Sequence, residues 1–445
     1  MFKKFNRKWL VPIFLVLLIG IYLIPPIRVR ADRRINDLQA EIKAILNPPD
    51  QAVFVPAQQA QQDAIATVVQ ATMQAVAAQT QTAATIPSGP TLTPTPTPKP
   101  LPPSVNLPGV KYVDQRERWN YCAPANLTMA LTFWGWKGNR DDIARVVKPG
   151  ENDPQKNFID QGFTDKNVMP YELVDYVNDE TEYKALYRYG GDIQMIKTML
   201  AAGVPVIAEK GYYEADYHGK VAWLGHYQFV TGYDDATQEV IVQDTWNDGP
   251  NFHIQYDKFM DGWRSFDFLF LVVYPPDREP DAFDALGPYV DPDWAAQKAL
   301  DMADGDVQSL TGIDRFFAWF AKGTSHVALQ QYADAAAAYD QAFSIYAALG
   351  SDNNERPYRI MWYETGPYFA YYYAGRYQDV INLANTTLND TISTPTLEES
   401  LYWRGLAEYA AGDSADAIND MRRAVYYNKN MQAAVAKLQE WGAAP

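Results

Sequence analysis

The sequence predicts an α+β domain over residues 106–276 followed by an all-α, repetitive domain over 291–445. Three observations carry this reading. Helical patterns come first and short strand-like runs afterwards within the earlier region, which is the order of an α+β layout rather than of alternating β-α-β units. Beyond residue 291 the chain turns helical and repeats its own apolar spacing. The composition, 47% hydrophobic with 14% aromatic and 21% charged residues in a chain of 445, is that of a protein folded over most of its length and too long for one typical domain.

Taken in order, residues 1–8 form a basic tail carrying Lys3, Lys4, Arg7 and Lys8. Residues 9–27 (WLVPIFLVLLIGIYLIPPI) are almost wholly apolar and long enough to cross a hydrocarbon core, which needs about 20 residues. The segment reads as a transmembrane anchor or a signal segment. An uncleaved anchor is expected, because the run exceeds the apolar core of an ordinary signal peptide and Val29-Arg30-Ala31 is a poor cleavage site. Residues 28–105 are expected to form a stalk that ends in the Thr/Pro run TLTPTPTPKPLPP, an extended polyproline II spacer. The spacer favours a single-pass membrane protein whose folded domains lie on the extracytoplasmic side.

Net charge is −16, although the first 34 residues hold eight of the 38 Lys and Arg and only one of the 54 Asp and Glu. So acidic a remainder excludes nucleic acid as an expected partner.

In the α+β region a helix is expected after Cys122, where Leu127, Ala130, Leu131 and Trp134 recur at helical spacing, with further helical patterns near 168–177 and 193–202. Strands are expected at 204–208, 226–233, 239–243 and 268–274. The run PPDREP at 275–280 breaks the pattern, and residues 277–290 read as a linker. In the C-terminal region Trp319, Gly323, Tyr332, Ala335, Tyr339 and Ala342 align at identical spacing with Leu401, Gly405, Ser414, Ala417, Met421 and Ala424. A looser copy lies between them, around Tyr368, Tyr371, Gly375, Tyr377, Val380 and Thr387. This resembles tetratricopeptide repeats, which implies a protein-binding module of stacked helical hairpins.

The chemistry centres on Cys122, the only cysteine in the chain. One cysteine makes no internal disulfide. At the start of a helix the unpaired backbone N–H groups favour a thiolate. A nucleophilic cysteine needs a histidine to take its proton and a carboxylate or amide to orient that histidine. Of four histidines, His326 reads as a repeat residue, His253 as a plain strand residue in NFHIQY, and His218 as a loop residue that is at best a substrate contact. His226 opens the strand GHYQFVTGYD, which turns near Ala236 and returns as EVIVQDTW. A hairpin closed there sets His226 against the end of the returning strand, within reach of Asp244.

WNYCAPANLTMALTFWGW, AAGVPVIAEKG, GHYQFVTGYDD and VIVQDTW, in that order, resemble the papain-like cysteine peptidases related to the bacteriocin-processing, double-glycine leader peptidases. The resemblance covers about residues 110–275. It implies a papain-like fold with Cys122 as nucleophile, His226 as general base and acid, Asp244 as orienter, no cofactor or metal, and an upstream glutamine in the oxyanion hole. Gln115 is the nearest upstream glutamine, with Asn120 as an alternative donor; Ala123 stands where the family usually has glycine. Trp119, Trp223 and Trp246 flank the three motifs and are expected either to line a groove for an extended peptide or to pack in the core.

The expected whole is a membrane-anchored cysteine peptidase (106–276) joined to a protein-binding repeat domain (291–445), acting on a peptide or protein substrate. A phosphate-loop signature for ATP is missing, which argues against bacteriocin transport itself. Two alternatives share the same sequence features: an inactive peptidase fold serving as a binding scaffold, and a cell-wall amidase or acyltransferase using the same triad.

Overall fold

The computed structural model describes residues 22, 28, 34, 35, 38–40, 42, 43, 45–57, 100–118, 120–215, 221–350 and 356–445. Its centre is one antiparallel sheet of seven strands: β1 (Ser104–Asn106), β2 (Lys184–Arg188), β3 (Val206–Ala215), β4 (Val221–Asp234), β5 (Glu239–Gln243), β6 (Phe252–Gln255) and β7 (Phe270–Tyr274). The order across the sheet is β2-β7-β3-β4-β5-β6, and β1 pairs with the far end of β4.

Both faces of the sheet are covered, and the strand sequences say why. Ile207, Tyr227, Phe229, Leu271 and Val273 point to one side, while Val206, Ala208, Val230, Phe270 and Val272 point to the other, so each strand is apolar at both parities. On the first side lie α1 (Cys122–Phe133), α2 (Arg140–Val147) and α4 (Pro170–Glu180), with the short α3 (Phe158–Gln161) between α2 and α4 in the chain. On the second lie α5 (Ile193–Ala201), α6 (Tyr256–Arg264) and α7 (Glu279–Leu286). Helix α1 departs from the expected amphipathic pattern. Every residue from Ala123 to Leu131 is buried, because the sheet holds one side of it and α2 the other.

The remaining chain is helical: α8 (Pro292–Ser309), α9 (Gly312–Ala328), α10 (Tyr332–Ala348), α11 (Ile360–Tyr363), α12 (Gly366–Tyr373), α13 (Tyr377–Thr386), α14 (Glu398–Ala411), α15 (Ser414–Tyr427) and α16 (Gln432–Glu440). At the aligned glycines the helices of a pair approach closely. A Cβ on Gly323 would lie 2.6 Å from the Tyr339 ring, and one on Gly405 would lie 3.0 Å from the Ala417 carbonyl oxygen. Helix α9 therefore packs on α10, and α14 on α15, at matching points.

Three expectations change. Residues 277–290 are not a linker: prolines at the first positions of a helix are tolerated because the early N–H groups need no helical partner, so α7 forms there and buries Ala282 and Leu286 against the sheet. Part of the expected stalk is packed, since Phe54 is 5% exposed and joins the core of the C-terminal helices. Residues 58–99, including most of the Thr/Pro run, lie outside the described residues. The single-pass membrane placement is also corrected, because among the described residues no helix is long and apolar enough to cross a membrane. Apart from Tyr22, residues 9–27 lie outside the described set.

The two regions are not beads on a string. Trp223 and Phe266 from the sheet region share one apolar cluster with Phe317, Tyr339 and Tyr371 from the helices.

Candidate active site

Cys122 is the first residue of α1 and is half-buried. The strand β4 crosses beneath that end of the helix, and Asn126, fully buried, fastens the two together. Its Nδ2 donates to the carbonyl of Cys122 at 2.8 Å and to the carbonyl of Tyr227 at 2.8 Å. The thiol and the residue after His226 thus hang from one amide. Replacing Asn126 with alanine removes both side-chain bonds, takes this donor from the buried Tyr227 carbonyl, and is expected to cost about 1–3 kcal/mol. The thiol should drift back toward an ordinary value near 8.5. Urea denaturation and a pH profile of thiol alkylation check both effects.

His226 is 3% exposed and hydrogen-bonds the Cys122 thiol. Its Nε2 lies 3.0 Å from Asp244 Oδ2, which leaves Nδ1 as the ring nitrogen for the sulfur. The edge of Tyr212 closes another side, with ring centroids 5.6 Å apart. Asp244 is saturated with donors: Oδ2 also accepts from Gln228 Nε2 at 2.7 Å, and Oδ1 accepts from the Trp246 N–H at 2.8 Å. Its backbone is held as well, the carbonyl by Tyr112 Oη at 2.8 Å and the N–H by the Gly249 carbonyl at 3.0 Å.

This arrangement sets the charges. Burial alone would raise the Cys122 thiol, but the hydrogen bond and charge of His226, the Tyr227 backbone N–H and the more distant Lys148 outweigh it and bring the thiol below its usual value. Burial would lower His226, yet the Asp244 carboxylate and the sulfur push it up to about 10. Asp244, despite burial, is held far below the carboxylate range by His226, Gln228 and the Trp246 N–H. The three shifts act together, each favouring the charged form: thiolate, imidazolium and carboxylate in a row.

Gln115 lies beside the same row. Its backbone N–H donates to the Thr245 carbonyl at 2.9 Å, and its Oε1 accepts from Thr245 Oγ1 at 2.8 Å. Anchoring the oxygen fixes the amide with its Nε2 uncommitted among the described residues. Asn120 is used differently: it sits at φ 52° and gives its Nδ2 to the Lys166 carbonyl at 3.0 Å. Ala123, at the position where glycine is usual, is an ordinary buried helical residue.

The tryptophans part company. Trp246 is half-buried next to Asp244. Trp223 is 1% exposed, stacked on Phe266 at 5.6 Å and enclosed by Phe317 and Tyr363, so it is core rather than groove lining. Trp119 and His218 lie outside the described residues. His253 pairs with Glu239 on an exposed strand, and His326 with Gln331 between helices. Among the described residues no group of three His, Cys, Asp or Glu side chains is placed to hold a metal ion.

Sequence reasoning missed three residues. Gln228 carries a readable signal, being two positions after His226 and so on the same strand face. Asn126, one helical turn after Cys122, carries a weaker one. Glu209 on β3 carries none: it is buried close to the thiol and imidazole, and burial holds its carboxyl well above the usual range.

Comparison with known proteins agrees with this description of the first region. Residues 108–269 match the family described as Peptidase_C39 like family. Among solved structures, the chain is similar to a C39-like peptidase from Bacillus anthracis, with 16% identity, a TM-score of 0.30, and coverage of 38% of this chain and 97% of that one. It is also similar to Xylellain, a cysteine protease from Xylella fastidiosa, with 18% identity, a TM-score of 0.27, and coverage of 39% of this chain and 86% of the other. No curated protein matches. A C39-like peptidase domain of antiparallel sheet and helices, followed by a helix-rich C-terminal region, is the architecture of the chain.

Proposed function

We propose that the protein is a cysteine peptidase that hydrolyses peptide amide bonds through Cys122, His226 and Asp244. The single observation that carries this reading is the row just described, in which one carboxylate oxygen 3.0 Å from His226 Nε2 fixes the ring and leaves its other nitrogen to the sulfur. The Cys122 thiolate attacks the scissile carbonyl carbon. The resulting oxyanion is met by the N–H groups at the start of α1 and by Gln115 Nε2. As the C–N bond breaks, the His226 imidazolium gives its proton to the leaving amine, and a thioester remains. Water, deprotonated by the neutral imidazole, attacks that thioester, releases the acid and restores the thiol. Asp244 keeps the ring oriented and stabilises its positive form in both halves.

Trp246 flanks the site and is assigned a substrate contact. The C-terminal helices, with their matched close approaches at Gly323 and Gly405, are read as tetratricopeptide-like hairpins that bind protein.

The test is alkylation of the intact protein by a small thiol reagent across pH, alongside incubation with a peptide library. An unperturbed thiol of pKa about 8.5 is less than about 1% ionised at pH 6. Here Cys122 is expected to react readily at pH 6, and library cleavage should vanish in Cys122→Ala. A thiol that reacts only as pH rises through about 8.5 overturns the reading. So does full reactivity with no peptide cleaved, and recovery of transfer products alone points to an acyltransferase.

The pH dependence has a defined sign. His226 has its pKa raised, so its ion pair is complete below the unfolded value of about 6.5 and is lost as pH rises through about 10. Asp244 is depressed, so its contribution is present above the unfolded value of about 3.9 and is lost as pH falls further toward its folded value. Activity and stability should both fall on the alkaline side near pH 10.

A further inference from the structure

A segment from the N-terminal part of the chain lies on the C-terminal helices as a peptide lies on its receptor. Residues 52–56 are extended after the 3-10 turn Pro49–Gln51. Phe54 and Pro56 are buried, while Val55 and Ala57 face solvent, the alternation of an extended strand read from one side. The Phe54 ring meets Phe343 of α10 edge-on at 4.9 Å and Tyr371 of α12 at 6.0 Å, spacings at which aromatic pairs attract beyond simple burial.

Two of the polar contacts are to backbone, and they have a direction. The N–H of Ala57 donates to Asp379 Oδ1 at 2.7 Å, and Arg356 Nη1 donates to the carbonyl of Asp50 at 3.3 Å. A carboxylate reads an N–H at one end and a guanidinium reads a C=O at the other, so these two contacts fix chain polarity, and the aromatic anchor reads the side chain. Lys43 adds a bond from its Nζ to the Ile392 carbonyl at 2.6 Å. Among the described residues the segment joins no strand; one aromatic anchor, one buried proline, the buried Asp50 and these backbone contacts are among what holds it. Residues 58–103 join it to β1.

We propose that this groove is a docking site for an extended peptide carrying phenylalanine two residues before proline, that the chain fills it with its own residues 49–57, and that a partner protein presenting such a segment takes its place. The inference does not rest on the peptidase chemistry. Occupation in cis follows from tethering: two parts of one chain meet at an effective concentration on the order of 1 mM, against which a free peptide must compete.

The experiment uses the full chain and a fluorescent peptide of sequence NPPDQAVFVPA, residues 47–57, followed by anisotropy. Phe54→Ala in the chain removes the anchor of the tethered copy and should tighten apparent peptide binding by at least about tenfold relative to the unaltered chain. Ala57→Pro in the chain is a second variant that deletes only the N–H given to Asp379 and leaves the aromatic core filled. It should tighten binding in the same direction by a smaller factor. A peptide with the same Phe→Ala change should bind none of the three chains. The proposal is overturned if the peptide binds no chain, if it binds all chains equally, or if loss of its phenylalanine leaves binding unchanged.

Discussion

Asp244→Asn should leave the protein folded and lower kcat on peptide substrates by a factor on the order of 10²–10⁴, the size of effect expected when a catalytic histidine loses its orienting charge. The geometry explains why so small a change is so costly. Oδ2 receives two donors, His226 Nε2 and Gln228 Nε2, while Oδ1 receives a third, the Trp246 N–H. Asparagine has one acceptor oxygen. Set toward His226 and Gln228, its NH₂ faces the Trp246 N–H, donor against donor; turned the other way, it presents that NH₂ to His226. Neither orientation supports an imidazolium, so the pKa of His226 should fall from about 10 and the thiol should rise. The measurements are single-turnover cleavage and alkylation rate against pH, with circular dichroism for the fold. A variant with unaltered kcat and an unshifted alkylation profile would remove Asp244 from the mechanism. Gln228→Leu removes one of the two donors on Oδ2 and should give a smaller shift in the same direction.

Trp223→Ala is expected to reduce stability by about 3–5 kcal/mol, the range for emptying a large aromatic site in a packed core. The indole is stacked on Phe266 with 15° between planes, and it touches Phe317 and Tyr363 from the C-terminal helices. The cavity thus opens between the sheet and the helices, and the loss should appear as a lower urea midpoint for both regions together. Were Trp223 instead a substrate contact, the variant would keep its midpoint and lose kcat/KM. A midpoint shift worth less than about 1 kcal/mol would show that the two regions do not share their stability.

Much of the local structure is legible in the chain, because it depends on near neighbours. The helix after Cys122, the strand at 239–243 and the plain strand role of His253 follow from spacing alone. What escapes is set by contacts between distant residues. The packed residues 277–290 look like a break because two prolines fall there and two more stand just before, and only the apolar surface waiting on the sheet makes the helix worth forming. Phe54 stands in a polar, proline-rich setting, and its partners lie about 290 and 320 residues away. Trp223 reads equally well as groove or core until Phe266, Phe317 and Tyr363 surround it.

The hairpin holding His226 and Asp244 divides the two kinds of information most clearly. From the sequence alone come the residue types, the turn between the two strands and the expectation that the imidazole and carboxylate meet. The turn itself, however, pairs Asp234 with Glu239 and Gly232 with Ile241, a register that would set Asp244 opposite Phe229 and so on the wrong face of the sheet. A β-bulge at Thr231 slips the register, so that Val230 faces Val242 and Phe229 faces Gln243; continuing one step places Asp244 across from Gln228, diagonal to His226. The extra residue is kept in place by long-range bonds: Leu107 donates its N–H to the Thr231 carbonyl at 2.9 Å, and Gln243 Nε2 reaches the Thr231 hydroxyl at 2.9 Å. The sequence determines which groups are available to the site. Which side of the sheet they face is decided by a one-residue slip, and that slip is stable only because a distant strand end and a buried glutamine satisfy the backbone and hydroxyl groups it would otherwise leave unpaired.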